Sequence, residues 1–219
     1  MTKFDGVIFD LDYTLYDEQE YFFTVFREFC TLFQCPERLG FMEDSFISLR
    51  TMSKDIFEDV LQSSGFKNVL SQYKDELFRL YTTTNARIRP YEDALTLLGI
   101  LKIKQLQTGI LTNGVVLAQK NKLRCLSIDQ YFDIIFFARQ LGREFEKPHI
   151  KSFEGIARAV NISASRLLFI GDNPNTDFQG AKAIGGSTVR LQRGIFKDIP
   201  SNDFIDYQVG SLMEIEKLL

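Results

Sequence analysis

Tryptophan is absent from the 219-residue sequence, and histidine occurs once, at His149. A single histidine excludes a metal centre built from several imidazoles. No nucleophile-elbow pattern accompanies it, so a Ser-His-Asp hydrolase is disfavoured. The three cysteines, Cys30, Cys35 and Cys125, are odd in number and match no paired spacing of metal ligands. They predict reduced thiols and therefore a cytoplasmic protein.

Long apolar runs and basic runs are missing as well. No uninterrupted apolar stretch is long enough to cross a bilayer, and the first residues lead directly into a strand-like segment, so we expect neither membrane association nor secretion. The formal net charge is -3 and no basic run occurs, which argues against nucleic acid as a partner. Without tryptophan, aromatic packing depends on 21 Phe and 8 Tyr residues.

Two kinds of periodicity divide the chain. Between about residues 16 and 81 the apolar residues recur at helical spacing, and no strand pattern interrupts them. The two clearest stripes are Phe22, Val25, Phe26, Phe29 and Phe33, followed by Leu70, Tyr73, Leu77, Leu80 and Tyr81. We therefore predict a helical insert over residues 16–84, inside a core domain made of residues 1–15 and 85–219. Short linkers near 14–17 and 84–90 are natural hinges.

Outside the insert, short apolar runs alternate with helical segments. The runs that predict strands cover residues 7–11, 108–111, 134–138, 167–170, 188–191 and 207–209. Strands that alternate with helices imply right-handed crossovers and a parallel sheet. The predicted fold class is therefore α/β, with a parallel sheet covered by helices on both faces and interrupted by a helical insert.

Polar motifs stand at the ends of the first two predicted strands. Asp10 and Asp12 are two residues apart, so both carboxylates could contact one substrate if the chain bends there. Thr112 and Asn113 end the second strand, where a hydroxyl and main-chain N–H groups near a helix start suit a phosphate. Taken alone, the first motif is equally well explained by solvated aspartates at a turn, and the second by a helix cap.

Two further motifs follow later strands. Lys147, before Pro148, could neutralise a phosphoryl oxygen, although lysines that precede helices are common and need have no such role. Its neighbours Glu146 and His149 are expected at the rim of a pocket or on the surface. In the segment 171–177, Asp172 and Asp177 bracket a turn-forming stretch, and their oxygens suit Mg²⁺. An Asx-rich turn that caps a helix is the alternative. All four motifs lie at the carboxyl ends of predicted parallel strands, where open α/β sheets bind ligands, and this convergence predicts a site.

The ordered motifs resemble those of the haloacid dehalogenase superfamily. The matching residues are Asp10-x-Asp12-x-Thr14, Thr112-Asn113, Lys147-Pro148 and Gly171-Asp172-x-x-x-x-Asp177. The insert between the first two motifs resembles the helical cap of subfamily I, which includes phosphoglycolate phosphatases, nucleotidases and β-phosphoglucomutases. The resemblance extends to the end of the chain and implies a Rossmann-like core beneath that cap.

The resemblance also implies catalytic roles. Asp10 is the nucleophile that forms an aspartyl-phosphate, and Asp12 is the general acid and base, a role for which we expect a raised pKa. Mg²⁺ is expected on the side chains of Asp10 and Asp172 and the main-chain carbonyl of Asp12, while Asp177 orients the metal site or pairs with Lys147. The groups expected to bind the phosphoryl oxygens or substrate are Thr14, Thr112, Asn113 and Lys147.

These roles imply a Mg²⁺-dependent hydrolase for a small phosphomonoester, such as a nucleoside monophosphate or a sugar phosphate. An aspartate at position 12 disfavours carbon–halogen hydrolysis, which has no leaving alkoxide to protonate. It leaves open a phosphomutase, and a binding protein without turnover is a further alternative. We expect a monomer or homodimer with no nucleic-acid or membrane partner. The insert is predicted to close over the site and select small substrates, with Tyr21 and its neighbours among the candidate selecting residues.

Overall fold

The computed structural model describes residues 3–66 and 70–219, and for Leu70 only the main chain. Six strands form one parallel sheet in the order β3-β2-β1-β4-β5-β6. In chain order the strands are β1 Gly6–Phe9, β2 Gln107–Thr112, β3 Ile134–Phe137, β4 Leu167–Gly171, β5 Ser187–Leu191 and β6 Tyr207–Val209.

Strand β1 occupies the middle of the sheet, between β2 and β4. Phe9 is opposite Ile110 on one side and opposite Ile170 on the other. The next two strands in the chain, β2 and β3, lie on one side of β1, and the last three, β4, β5 and β6, lie on the other side. This change of direction leaves a crevice at the carboxyl end of β1. Asp10 is the first residue beyond the strand, and its main-chain N–H donates to the carbonyl of Ile170 at 2.8 Å.

Alternate side chains of β1 enter two separate apolar layers. Val7 and Phe9 belong to a layer that also contains residues of two helices, α5 Glu92–Ile103 and α6 Val116–Leu126, and of the final 3₁₀ helix. Ile8 belongs to the layer that contains residues of α7 Ile150–Val160 and α8 Gln179–Ala183. Helices therefore cover both faces of the sheet.

The helical insert lies between β1 and α5. Its helices are α1 Glu18–Leu32, α2 Leu39–Leu49, α3 Ile56–Ser63 and α4 Leu70–Thr83. The phenylalanine stripe of α1 forms the centre of the insert. The ring centroid of Phe22 lies 4.4 Å from that of Phe46 and 5.2 Å from that of Tyr81. The predicted α/β fold with an inserted helical segment is confirmed. Leu70, part of the second predicted stripe, begins α4, but its side chain lies outside the described residues.

Several predicted boundaries differ from the structure. Strand β1 ends at Phe9 and not at residue 11, because the chain turns directly after it and reaches positive φ at Tyr13. Strand β3 ends one residue earlier than predicted, since Ala138 begins a 3₁₀ turn. The last helix is a 3₁₀ helix, Leu212–Leu218, and Ser211 caps it.

The two linkers of the insert run side by side. The N–H of Tyr91 donates to the carbonyl of Leu15 at 2.9 Å, and Tyr16 forms an isolated bridge with Pro90. Tyr16 is fully buried, and its hydroxyl donates to the Asp12 carboxylate at 2.6 Å. The start of the insert therefore contacts one of the two aspartates of the first motif. Within residues 3–66 and 70–219, no helix has both the length and the apolar character needed to span a bilayer.

Candidate active site

A buried lysine joins the first, third and fourth motifs. The Nζ atom of Lys147 lies 2.6 Å from Oδ1 of Asp10 and 2.7 Å from Oδ1 of Asp177. Only 6% of Lys147 is exposed, so these charge-assisted bonds lie largely out of water. The pairing of Asp177 with Lys147, which the resemblance implied, is present in the structure.

Asn113 fixes the main chain of Lys147. Its side-chain amide donates to the Lys147 carbonyl at 2.9 Å, and its side-chain oxygen accepts from the Lys147 N–H at 2.8 Å. Glu146 adds a second link, because its carboxylate accepts a hydrogen bond from the Gly114 N–H. The same carboxylate accepts two hydrogen bonds from the Arg139 guanidinium, at 2.9 and 3.0 Å. The loops after β2 and β3 are therefore joined on both sides of Lys147.

Three aspartates form a carboxylate cluster beside this lysine. Asp10, Asp172 and Asp177 each offer an oxygen, and these oxygens lie within 4.8 Å of one another. Asp172 is only 2% exposed; its Oδ1 accepts from the Thr14 hydroxyl at 3.4 Å, and its Oδ2 has no hydrogen-bond partner. A buried carboxylate oxygen without a donor is costly, and a hard cation would satisfy it. The cluster therefore fits a metal ion.

The close approach of Asp177 depends on a glycine. A Cβ atom built on Gly171 would overlap the carboxylate of Asp177, so no larger residue fits at the end of β4 without displacing that side chain. The N–H of Asn173 donates to Oδ2 of Asp177 at 2.9 Å and closes the turn that follows. The segment 171–177 is thus both a capped turn and part of the acid cluster.

Charge repulsion and burial shift the pKa values of this cluster. Burial, partly opposed by Lys147, raises the pKa of Asp10 to about 7, and the carboxylates of Asp177 and Asp12 add to the rise. Burial and then the charges of Asp177 and Asp10 raise the pKa of Asp172 well above its ordinary value. Both shifts come first from burial and then from neighbouring negative charge, and a bound cation would oppose both by stabilising the carboxylates.

Asp12 has different surroundings. Its Oδ1 accepts from Lys122 Nζ at 2.8 Å and from the Tyr16 hydroxyl at 2.6 Å, and its Oδ2 accepts from the Gln119 amide at 2.8 Å. Burial alone would raise the pKa of Asp12, but the charge of Lys122 and the three donors together hold it below its ordinary value. The raised pKa expected for a general acid is therefore wrong for this arrangement, because a buried lysine stabilises the carboxylate.

The two threonines of the predicted site face protein groups. Thr112 is 1% exposed, and its hydroxyl accepts from the Gln119 amide at 2.6 Å. Thr14 is fully buried and contacts Asp172. Neither of them lines the cavity above Asp10, so the binding of substrate by these hydroxyls stays a prediction.

A cavity of about 200 Å³ lies above Asp10 and Lys147. Core loops form most of its wall, and the insert contributes Glu18 and Arg50. The remaining lining residues are Asp12, Tyr13, Asn113, Asp172, Asn173, Thr176, Asp177 and Phe196. The stretch of residues 21–23, proposed from sequence for substrate selection, does not line this cavity. Tyr21 and Phe22 are buried inside the insert, and Phe23 is partly buried.

The sequence analysis missed a charge network between the insert and the core. Lys122 is fully buried and lies 2.8 Å from Asp12 and 2.8 Å from Glu18, whose other oxygen accepts from Arg50 at 2.8 Å. A weak signal exists for part of it, since Gln119 and Lys122 are three residues apart and therefore share one face of the helix after the second motif. No spacing rule connects Glu18 to Arg50.

Besides Oδ2 of Asp172, two buried donor atoms of cavity-lining residues have no hydrogen-bond partner. They are the hydroxyl of Tyr13 and Nε of Arg50. Tyr13 has φ 58°, and its ring makes an edge contact with Phe196 at 6.5 Å. Gly194 allows this approach, because a Cβ there would lie 2.7 Å from the Tyr13 ring. Unpaired donors beside a cavity are suited to hydrogen-bond a ligand.

This fold and this arrangement of residues define a haloacid dehalogenase-like hydrolase. The family model of that description matches residues 7–191, which includes all four motifs. The chain therefore belongs to this family, as the sequence motifs indicated.

Relatives of similar length are phosphatases. A glyceraldehyde 3-phosphate phosphatase of Methanocaldococcus jannaschii is 29% identical, over 96% of this chain and 94% of the relative. The pyrimidine 5'-nucleotidase YjjG of Escherichia coli is 26% identical, over 99% of this chain and 98% of the relative. The predicted class, a haloacid dehalogenase-like phosphatase, is confirmed.

Solved structures agree on the fold. The putative hydrolase YfnB from Bacillus subtilis, solved bound to magnesium, aligns with a TM-score of 0.75 at 21% identity and covers 99% of each chain. The L-2-haloacid dehalogenase of Xanthobacter autotrophicus aligns with a TM-score of 0.68 at 20% identity, covering 98% of each chain. A fold shared by enzymes of different chemistry leaves the reaction to be argued from the site.

Proposed function

We propose that this protein hydrolyses a small phosphomonoester through an aspartyl-phosphate on Asp10. The observation that carries the proposal is the contact of Lys147 with both Asp10 and Asp177, beside an acid cluster in which one Asp172 oxygen lacks a partner. This arrangement offers a nucleophilic carboxylate, a fixed positive charge for phosphoryl oxygens and a place for a cation within one cavity.

Asp10 attacks phosphorus and displaces the leaving alkoxide. Lys147 supports this step by neutralising a phosphoryl oxygen and by opposing the rise in the pKa of Asp10, which favours the ionised carboxylate. The main-chain N–H of Asn113 is a further donor at the same edge of the sheet, whereas that of Gly114 donates to Glu146. Water then hydrolyses the acyl phosphate, releases inorganic phosphate and restores Asp10.

Asp12 transfers the protons of both half-reactions. Its lowered pKa in the substrate-free protein suits the second half, in which it accepts a proton from the attacking water. A phosphate dianion bound next to Asp12 raises its proton affinity, because like charges disfavour the carboxylate. The substrate itself thus supports the first half, in which Asp12 protonates the leaving oxygen.

The ion that fits the acid cluster is Mg²⁺. Asp10, Asp172 and the main-chain carbonyl of Asp12 would hold it, with Asp177 oriented by Lys147 at the edge of the cluster. When bound, Mg²⁺ neutralises charge on the transferring phosphoryl group. Carboxylate oxygens are ligands that this hard cation prefers, and the unpaired oxygen of Asp172 is the clearest sign of the need for one.

The proposed substrate has a compact leaving group. A cavity of about 200 Å³ is below the ~300–1,000 Å³ common for drug-sized ligands. Relatives named for glyceraldehyde 3-phosphate, phosphoserine and pyrimidine nucleotides all act on small phosphate esters. We propose residues 16–84 as the cap that closes this cavity, and we favour a triose or sugar phosphate over a nucleotide.

A panel of phosphate esters tests the proposal. Purified protein is incubated with glyceraldehyde 3-phosphate, sugar phosphates, phosphoserine, phosphoglycolate and nucleoside monophosphates, with Mg²⁺ or with EDTA. We expect release of inorganic phosphate from one of the compact esters, and only with Mg²⁺. Isomerised ester without free phosphate would indicate a phosphomutase, and no turnover of any ester would reject the proposed hydrolysis.

A further inference from the structure

Lys122 connects the first catalytic motif to the helical insert. Its ammonium group lies 2.8 Å from Oδ1 of Asp12 and 2.8 Å from Oε1 of Glu18. Asp12 belongs to the loop after β1, Glu18 is the first residue of α1, and Lys122 lies on α6 of the core. A single side chain therefore bonds the proposed proton-transfer group and the insert at the same time.

The surroundings of Lys122 allow it little freedom. It is fully buried, and its Nζ lies between 5.3 and 5.9 Å from the ring centroids of Tyr21, Phe22 and Tyr81. These three aromatic residues all belong to the insert. A cation held over aromatic faces and between two carboxylates is fixed in position only while the insert is seated on the core.

The charges in this region balance. Asp12 and Glu18 alternate with Lys122 and Arg50, so that two acids and two bases form one buried or partly buried chain of ion pairs. Removing Lys122 would leave two carboxylates close to one another without their shared cation. Glu18 would still pair with Arg50, whereas Asp12 would lose the cation that balances its charge. A buried carboxylate without its cation is unfavourable, so Asp12 would be held less firmly in its present orientation.

The remaining contacts of Asp12 come from the first linker and from the core. Tyr16, in the linker that leads into α1, donates to Oδ1, and Gln119, three residues before Lys122 on α6, donates to Oδ2. Tyr16 is also bridged to Pro90 of the second linker. The orientation of the Asp12 carboxylate is thus set by one linker residue and by one face of α6.

We propose that Lys122 is a positioning residue that couples the seating of the insert to the orientation of Asp12. While Glu18 contacts Lys122, the Asp12 carboxylate is held in a fixed orientation at the wall of the catalytic cavity. When α1 moves away, Lys122 loses one of its two partners and its aromatic surroundings, and Asp12 loses its fixed orientation. This inference rests on the proposed hydrolysis and extends it to a residue that touches neither phosphorus nor metal.

A dependence on the leaving group distinguishes this role from a purely structural one. An alkoxide is strongly basic and requires a proton from Asp12 as it departs, whereas 4-nitrophenolate leaves readily without one. Misplaced Asp12 should therefore impair an alkyl ester far more than an aryl ester. A general loss of folding or of substrate binding would reduce both rates together.

The experiment compares wild type with Lys122→Met and Glu18→Gln on glycerol phosphate and on 4-nitrophenyl phosphate, at saturating Mg²⁺. For Lys122→Met we expect kcat to fall roughly 100-fold on glycerol phosphate and less than about tenfold on the aryl ester, with little change in KM. Glu18→Gln keeps a hydrogen-bond acceptor and should show the same selectivity with a smaller loss. Lys120→Met, on the exposed side of α6, is the matched control.

Equal losses on the two esters, no loss, or a gain on glycerol phosphate would overturn the role of Lys122. Circular dichroism establishes that each variant is folded, and if Lys122→Met does not fold, the ester selectivity of Glu18→Gln decides. The proposed hydrolysis fails separately, by the absence of wild-type turnover on both esters.

Discussion

The side chain of Asn113 forms a pair of hydrogen bonds with the main chain of Lys147, 34 residues further along the chain, at 2.9 and 2.8 Å. This pair fixes the point from which the lysine side chain reaches Asp10. Asn113→Asp keeps the shape but cannot donate to the Lys147 carbonyl, and it places a negative charge beside it. Part of the role of the second motif is therefore to hold the third.

We expect Asn113→Asp to lower kcat roughly 100-fold, because Lys147 no longer lies at hydrogen-bond distance from Asp10. Lys147→Met should cause a similar or larger loss. Since both changes act through the same contact, the double variant should be little worse than Lys147→Met alone. Steady-state kinetics of the four proteins measure this coupling, and fully additive losses would refute it.

Asp10→Asn should abolish turnover while the protein stays folded. An amide is a poor nucleophile and cannot form the acyl phosphate, so we expect a loss of at least ~10⁴-fold in kcat. Incubation with a phosphate-labelled substrate should leave no label on the acid-quenched variant. Asp203→Asn replaces an exposed aspartate and serves as the control. Activity of Asp10→Asn close to wild type would exclude Asp10 as the nucleophile.

Asp172→Asn should stabilise the metal-free protein above neutral pH. Folding raises the pKa of Asp172. At a pH between the ordinary pKa and the raised pKa, the folded state keeps a proton that the unfolded state has lost. The free energy of unfolding therefore falls as pH rises through this range. Asp172→Asn has no carboxylate to titrate and avoids this loss of stability. The free energy of unfolding of the variant should therefore exceed that of wild type by an amount that grows between pH 5 and pH 7.5, to on the order of 1 kcal/mol.

Urea denaturation in EDTA at the two pH values measures this difference. Titrating groups far from the cluster cancel because both proteins carry them, whereas Asp10 and Asp177 are relieved of the Asp172 charge and add to the gain. With saturating Mg²⁺ the order should reverse, since the ion binds the folded wild type more tightly. A variant less stable than wild type at both pH values without metal would contradict the cation site. The half-saturating Mg²⁺ concentration for turnover should also rise in the variant.

Tyr13→Phe should raise stability and weaken substrate binding. The buried hydroxyl of Tyr13 has no partner, and removing such a group relieves roughly 1 kcal/mol of desolvation cost. If the hydroxyl hydrogen-bonds the leaving group, KM should rise several-fold while kcat changes little. Tyr131→Phe, at a more exposed tyrosine, is the control. Unchanged KM together with the gain in stability would show that Tyr13 contacts no substrate.

The cap hypothesis predicts poor activity on phosphopeptides. In this hypothesis the insert closes over a cavity of about 200 Å³, which is too small for a chain segment. The value of kcat/KM should then be at least ~100-fold lower for a phosphopeptide than for the best metabolite. Arg50→Met should change the ranking of metabolites, whereas Arg27→Met, on the exposed side of α1, should not. Equal rates for phosphopeptide and metabolite, or an unchanged ranking, would reject this role of the insert.

Local sequence patterns were sufficient for the order of the elements. The strand that ends before Asp10 and the one that ends before Asp172 are short apolar runs, and the carboxyl ends of parallel strands meet at one edge. For that reason the meeting of Asp10, Lys147 and Asp172 was predictable from the alternation of strands and helices. The family motifs then assigned expected roles to residues that the sheet had already brought to that edge.

The environment of Asp12 was decided only by the tertiary structure. Its pKa depends on Lys122, 110 residues away, and on Tyr16 in the linker, and no sequence spacing specifies those distances. The residues of the insert that contact the cavity could not be identified from sequence for the same reason. The stripe that contains Phe22 is apolar because it packs inside the insert, and Arg50, directly after α2, lines the cavity instead. Periodicity reports which face of a helix is buried, but the partner of a buried charge is set by how separate elements pack together.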